Sequence, residues 1–439
     1  MLRRVDLRGV VAPPHDAAAT AELRDRLPRP TVVDAPPVAA VAALCDEVRD
    51  EGDDAVRRIT RRIDGVELSG IRVDAGACGA ALDALDPGLR GALFVAKERI
   101  ERFHRHTLPT ESEWSDGGIT VESLPRAVDR AGAYVPGGVT PLISSVLMTV
   151  VPAKVAGVRH VAVATAPGPG GEAAPGMLAA AALAGADEVF VGNSTALIAA
   201  MAYGTETIGR VDVIVGPGGR FTAQAKREVA ARGLVGVPGS FAGPSEVVVI
   251  ADDSVAAEHA AVDLIVQIEH GPDGLAWLVC WSEEVAEAIE TMVEKLAGSA
   301  ARGDTIRSNL AENAFTAIVD GPREAVAVAN AIAPEHLQLM VANPRSLLRD
   351  VHHAGAVFCG ENSPASVGDY VAGPSHVLPT YGSARFAAAL GVRDFQRTLH
   401  AVTVDEAALT ALGPAVVALA EAEGLGVHAE SVRMRSGRE

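Results

Sequence analysis

Glu335 and His336, adjacent in the run Ala333-Pro334-Glu335-His336-Leu337, are residues whose types could do chemistry together. A carboxylate beside an imidazole can divide proton traffic: the glutamate orients or activates water and the histidine accepts a proton near neutral pH. The same pair also reads as a solvated loop after a helix, and local sequence does not separate the two. In Gln267-Ile268-Glu269-His270, at the end of an expected helix, the i, i+3 spacing places Gln267 and His270 on one face. That suits a metal with oxygen and imidazole ligands; a histidine at a helix end equally serves as a cap or as a surface group favoured by the dipole. More ligands would be needed, and Asp369, His376 and His428 lie in glycine-containing loops, where a polar side chain is harder to explain as core packing.

Two glycine turns offer a different chemistry. Gly216-Pro217-Gly218-Gly219 follows an expected strand and precedes an expected helix, so its backbone could approach a phosphate at a helix N-terminus, or simply close a strand end. Pro136-Gly137-Gly138 follows Tyr134, which could stack on a flat ring or cover a strand edge.

The elements that must position these residues have an α/β rhythm. The runs 160–165, 188–191 and 211–215 read as buried strands, with helices near 175–184 and 196–203 between them. A second series has strands at 246–250, 276–281 and 315–319 and helices at 255–269, 285–296 and 324–331. Before them, 38–63 and 89–106 read as packing helices, the second opened by Asp86-Pro87. The last fifty or so residues read as mostly helical.

The length of 439 residues allows two or three domains, and 49% hydrophobic residues can fill several cores. A net charge of −18 opposes nucleic acid and anionic lipid as partners. The N-terminus lacks the apolar core of a signal peptide, and no apolar stretch reaches membrane-span length. Cys45, Cys78, Cys280 and Cys359 are widely spaced with no C-x-x-C, which reads as free thiols in a reducing compartment. A cytoplasmic location is the expectation.

The words AYVPGG, SSVLM, AYGT, VGPGG, AGPSEVVVIAD, QIEH, APEHL, GDYVAGPSHVLPT, ARF and EGLGVHAESVRMR occur in an order and spacing that resemble histidinol dehydrogenase over nearly the whole chain. The resemblance implies a zinc- and NAD-dependent enzyme that oxidises the amino alcohol L-histidinol through an aldehyde to L-histidine. It also implies a homodimer of intertwined subunits in which the C-terminal segment completes the partner's site. The implied zinc ligands are Gln267, His270, Asp369 and His428, and the implied substrate pocket adds Ser245, His336, His376 and Glu423. His336 matches the general base for the alcohol, and Glu335 the base that activates water. The cofactor positions fall at Tyr134, Ala196 and Gly219.

The fold implied is two tandem, incomplete Rossmann-like parallel-sheet domains. Expected boundaries are an N-terminal arm at 1–28, a discontinuous first domain at 29–133 and 244–389, a second domain at 134–243, and a C-terminal helical segment at 390–439. Departures from the family pattern cluster. Ala196 stands at a glutamine and Gly219 at an asparagine that contact NAD in the family. Val237-Pro238-Gly239 replaces Ile-Asp-Met, Ala365 a glutamate, and Ser375 an asparagine. Losing such polar contacts would weaken cofactor binding by about 1–3 kcal/mol each if uncompensated. Three readings therefore stand: histidinol oxidation with a drifted cofactor pocket, a paralogue acting on another polar primary alcohol, and a non-catalytic zinc or ligand-binding module. Retention of Glu335 and His336 opposes the third.

Overall fold

The computed structural model describes residues 2–11, 17–28, 38–138, 141–239, 245–269, 274–300 and 302–436. Their strands are β1 Arg3–Asp6, β2 Ser112–Asp116, β3 Ile119–Ala127, β4 Arg130–Val135, β5 His160–Thr165, β6 Glu188–Val191, β7 Val213–Val215, β8 Glu246–Ala251, β9 Leu275–Cys280, β10 Ala314–Ile318, β11 His336–Met340, β12 Ala356–Cys359 and β13 Gln396–Val404. They form a six-stranded sheet in the order β1-β10-β9-β8-β11-β12 and a four-stranded sheet in the order β6-β5-β4-β7. All pairings in these two sheets are parallel. A third sheet, β13-β3-β2, is antiparallel.

Both parallel sheets are covered on two faces, which explains their continuous apolar strands. Every residue of β8 (EVVVIA) and β9 (LAWLVC) is buried. Val247, Val249 and Leu278 enter the core on one face of the six-stranded sheet, and Val248, Trp277 and Leu337 that on the other. The two α/β units expected from the sequence are therefore present.

Several elements span or pack across the expected boundaries. β4 runs across the boundary at 133/134. The helix Val38–Asp64 buries Val41, Cys45, Val48, Val56 and Ile59 against Tyr134, Phe190 and Leu197 on the four-stranded sheet. Leu93, Ala96 and Ile100 of the helix Pro87–His106 join the other face of that same sheet. Thus 38–106 packs with the second unit, whereas the N-terminal arm gives β1 to the edge of the six-stranded sheet. Helical periodicity marks a face to be buried but does not say against which sheet. The C-terminal segment is likewise not wholly helical: β13 pairs along its full length with β3. Leu399, Val402 and Val404 on it are exposed, so no buried face announces the strand.

The helix Pro87–His106 starts as its sequence requires, with Asp86 accepting from the Gly88 and Leu89 N–H groups and Pro87 in the first turn. Its apolar stripe ends on His104, which is 1% exposed and has no partner for either ring nitrogen. Burial pushes its pKa down to about 4. The unfolded chain, with an ordinary histidine near 6.5, binds the proton first as pH falls. Stability is thus full above about pH 6.5, is lost as pH drops towards 4, and levels off below, a loss of about 3 kcal/mol. Chemical denaturation across that range should show a shallower loss for His104→Leu than for the unmodified protein. Parallel curves would refute it.

No helix among the described residues is long and apolar enough to cross a membrane.

Candidate active site

In a parallel sheet all strands start at one edge, and each crossover helix ends there. β8 starts at Glu246, β11 at His336, and the helix Ala257–Ile268 ends its last turn at that edge with Gln267. Ser245 is placed there too, its carbonyl accepting from the Leu275 N–H at 2.9 Å. Residues far apart in the chain, from Ser245 to His336, are therefore gathered at the N-terminal edge of the six-stranded sheet. Ligand crevices of open α/β sheets ordinarily lie at the opposite, carboxyl edge.

The solvated-loop reading of the Glu-His pair does not hold. Glu335 is 8% and His336 3% exposed. His336 Nδ1 lies 3.6 Å from Glu335 Oε2 and 3.3 Å from the Glu246 carbonyl oxygen. Its Nε2 is 3.5 Å from Asp369 Oδ1, an ion-pair distance too long for a good hydrogen bond, and has no hydrogen-bond partner. Burial pulls the pKa of His336 down, but the charges of Glu335 and Asp369 overcome it and hold it up at about 10. The ring is stacked on Phe358, centroids 6.0 Å apart. Gly368, in Gly368-Asp369-Tyr370, makes room for that packing, since a Cβ there would meet the Phe358 ring.

Asp369 lies on the short helix Ala365–Tyr370. His376 is fixed at both nitrogens: Nδ1 is 2.7 Å from the Asp369 carbonyl oxygen and Nε2 2.7 Å from Ser145 Oγ. The carbonyl requires the proton on Nδ1, so the neutral ring accepts from the Ser145 hydroxyl; burial, which lowers its pKa, favours that form. Ser145 was not singled out by sequence as a site residue. Its signal was the word SSVLM opening the helix Ile143–Val155. His336, Phe358, Asp369, Ser375 and His376 line a cavity of about 430 Å³.

Gln267 is 0% exposed with neither amide atom partnered. A buried amide in that state calls for an occupant. His270 lies outside the described residues. Glu423 and His428 are exposed and do not line the cavity. They flank the turn between the helices Glu406–Ala422 and Gly426–Ser436, which pack chiefly on each other. Among the described residues, no three of His, Cys, Asp and Glu are grouped closely enough to hold a metal.

The cofactor candidates lie at the other sheet. In the order β6-β5-β4-β7 the strand order reverses between β4 and β7, and open α/β sheets ordinarily bind ligands at the carboxyl ends of strands at such a point. Tyr134 is in β4, and Gly216–Gly219 follows β7. Gly216 has φ +104°, and a Cβ there would meet the Tyr134 carbonyl oxygen. Beneath this turn the buried Lys226 ammonium donates to the Gly216 carbonyl. Gly219 begins the helix Arg220–Ala231 with no side-chain cap and open space about its Cα.

The other two cofactor candidates are placed less favourably. Tyr134 is 4% exposed, its hydroxyl shared with Ser194 and Thr222, so the ring covers the sheet and is not presented to a ligand. The methyl of Ala196 lies in the apolar core, and its N–H, with that of Thr195, donates to Asn193 Oδ1. The helix Ser194–Tyr203 is thus capped by its own chain.

The family model for histidinol dehydrogenase matches residues 28–436. The chain belongs to the histidinol dehydrogenase family. It is 43% identical over 418 residues to the histidinol dehydrogenase of Thermus thermophilus, covering 95% of this chain and 99% of that one. The enzyme of Methanopyrus kandleri is 44% identical over 405 residues, covering 90% and 93%. The crystal structure of histidinol dehydrogenase from Elizabethkingia anophelis superposes with a TM-score of 0.91 at 29% identity, over 99% of this chain and 98% of that one. The fold is that of the histidinol dehydrogenase family, and the chain is an oxidoreductase of the dehydrogenase kind.

Proposed function

We propose that this protein oxidises L-histidinol to L-histidine with two NAD and one zinc ion. The observation that carries the reading is the buried His336 at a cavity that Asp369 and His376 also line, with Glu335 Oε2 3.6 Å from its Nδ1. In the first oxidation, His336, able to shed its proton once a bound cation offsets the Asp369 charge that helps hold its pKa up, takes the hydroxyl proton as hydride leaves the carbinol carbon for the first NAD. Glu335 then removes a proton from water as its oxygen adds to the aldehyde, while His336 returns its proton to the carbonyl oxygen, giving the hydrate. A second hydride leaves the hydrate carbon for a second NAD, and His336, neutral again, accepts the hydroxyl proton of the hydrate. His376, locked by Ser145 and the Asp369 carbonyl, orients one wall of the pocket, with Ser245 and Glu423 as further substrate contacts.

The donor set fits zinc. Gln267 brings an unpartnered amide, and Asp369 holds a carboxylate turned towards the cavity, with His270 and the partner subunit's His428 completing the set. When bound, zinc would hold the substrate's amino and imidazole nitrogens and orient the carbinol carbon. For NAD, the supporting features are the uncapped helix start after Gly219 and the glycine turn at the point where the strand order reverses. Ala196 contributes packing only.

A homodimer is part of the same proposal. Val402, Leu419, Val427 and Met434 are 62%, 67%, 84% and 67% exposed on the C-terminal segment. So much bare apolar surface suits an interface between copies. The four cysteines are free, consistent with the proposed cytoplasmic location.

The test is the yield of NADH, followed by absorbance, from limiting L-histidinol with zinc and excess NAD. About two NADH per alcohol are expected from the four-electron reaction. A yield of about one marks a simple alcohol dehydrogenase, and no NADH with turnover of another primary alcohol would assign a different substrate.

A further inference from the structure

Glu246, the first residue of β8, is 4% exposed and takes no part in the scheme above. Its backbone N–H donates to Glu335 Oε2 at 3.0 Å. The Glu335 backbone N–H donates in return to the Glu246 carboxyl. Each side chain therefore holds the other's backbone across the β8–β11 pairing, in which His336 stands opposite Val247. The Glu246 carbonyl is the same oxygen that lies 3.3 Å from His336 Nδ1. A third contact comes from the Tyr381 N–H, which also donates to the Glu246 carboxyl. Tyr381 adopts φ +55°, a left-handed conformation unusual for a tyrosine, to present it.

Two carboxyl groups so close and so buried resist carrying charge together. Burial first, and then the Glu335 charge, push the pKa of Glu246 up to about 8. Glu335 and His336 face it from β11. Across a second cavity that it borders lie Arg24, Tyr381 and Arg385; Arg24 pairs with Asp25, and Arg385 donates to the Ala331 carbonyl. A neutral Glu246 fits the clasp: it still accepts the two N–H groups and leaves the local negative charge to Glu335.

We propose that Glu246 is a positioning residue for the Glu335–His336 pair, a neutral carboxylic acid whose grip on the Glu335 backbone aims the base and whose ionisation impairs it. The proposal rests on the reading of Glu335 and His336 as the working pair. It predicts a specific asymmetry between two substitutions, measured as kcat for aldehyde oxidation from about pH 6 to about pH 10. Glu246→Gln, neutral and of the same shape, should keep kcat within about threefold at neutral pH and should retain it on the alkaline side, where the unmodified enzyme falls about tenfold per pH unit. Glu246→Ala, with the clasp open, should lose about a hundredfold in kcat with KM for the substrate changed far less.

The proposal is overturned if the glutamine variant is as impaired as the alanine variant at neutral pH, or if its pH profile superimposes on that of the unmodified enzyme. Thermal unfolding of each variant distinguishes a folded from an unfolded protein, and a folded glutamine variant suffices for the decision. Glu335→Gln, measured alongside, keeps the two ideas apart. If it oxidises aldehyde at full rate, the role of Glu335 falls. If it is inactive while both Glu246 variants behave like the unmodified enzyme, only the role of Glu246 falls.

Discussion

His336→Ala is expected to lower the rate of alcohol oxidation by about a thousandfold, within the range for loss of a positioned general base. His336 is 3% exposed, stacked on Phe358, and faces the cavity with an Nε2 that has no hydrogen-bond partner. Among the described residues, no other imidazole with a comparable opening lines the cavity, because both nitrogens of His376 are occupied. Glu335→Ala should instead leave the first hydride transfer largely intact and slow the aldehyde half by about a hundredfold, since the water it activates enters only there. Single-turnover measurements with L-histidinol and with the aldehyde, taken separately, decide this. Equal loss of both halves in both variants would refute the division of labour.

A heterodimer of one His336→Ala subunit and one His428→Ala subunit should recover about half of the normal activity, although each homodimer is nearly inactive. If the partner subunit's His428 completes each site, the heterodimer has one site with both residues intact and one with neither. If His428 served its own chain, every site would lack one residue and no activity would return. The geometry favours the first: His428 is exposed next to a helical hairpin that stands apart from the cavity and whose apolar residues are bare. Two different affinity tags allow the heterodimer to be isolated. A purified but inactive heterodimer would remove the shared site.

The candidate chemical groups were legible in the linear order of residues. Gln267, Asp369, His376 and the Glu335–His336 pair all sit in short words that the sequence singled out as candidates, although a cap, a surface group or a solvated loop pair fitted those words as well. The strands 160–165 and 188–191 matched residue for residue because a strand buried on both faces is a short, uninterrupted apolar run. β11 carries no clear sequence signal because His336 and Gln338 break its apolar pattern. β3 and β13 escaped because their sheet has a bare face and mixed exposure along the strands, so neither carries a clear alternation.

By itself the sequence determined which chemical groups are available and the family to which the chain belongs, because residue types and their local spacing are properties of the chain. Only the tertiary structure decided that Glu335 and His336 are buried, that Ala196 faces the core, and that Ser145 and Glu246 stand beside the pair and the pocket. Those facts depend on partners far along the chain. They are brought together by the common starting edge of parallel strands and by the packing of helices over it, and no local pattern encodes which distant residues will share that edge.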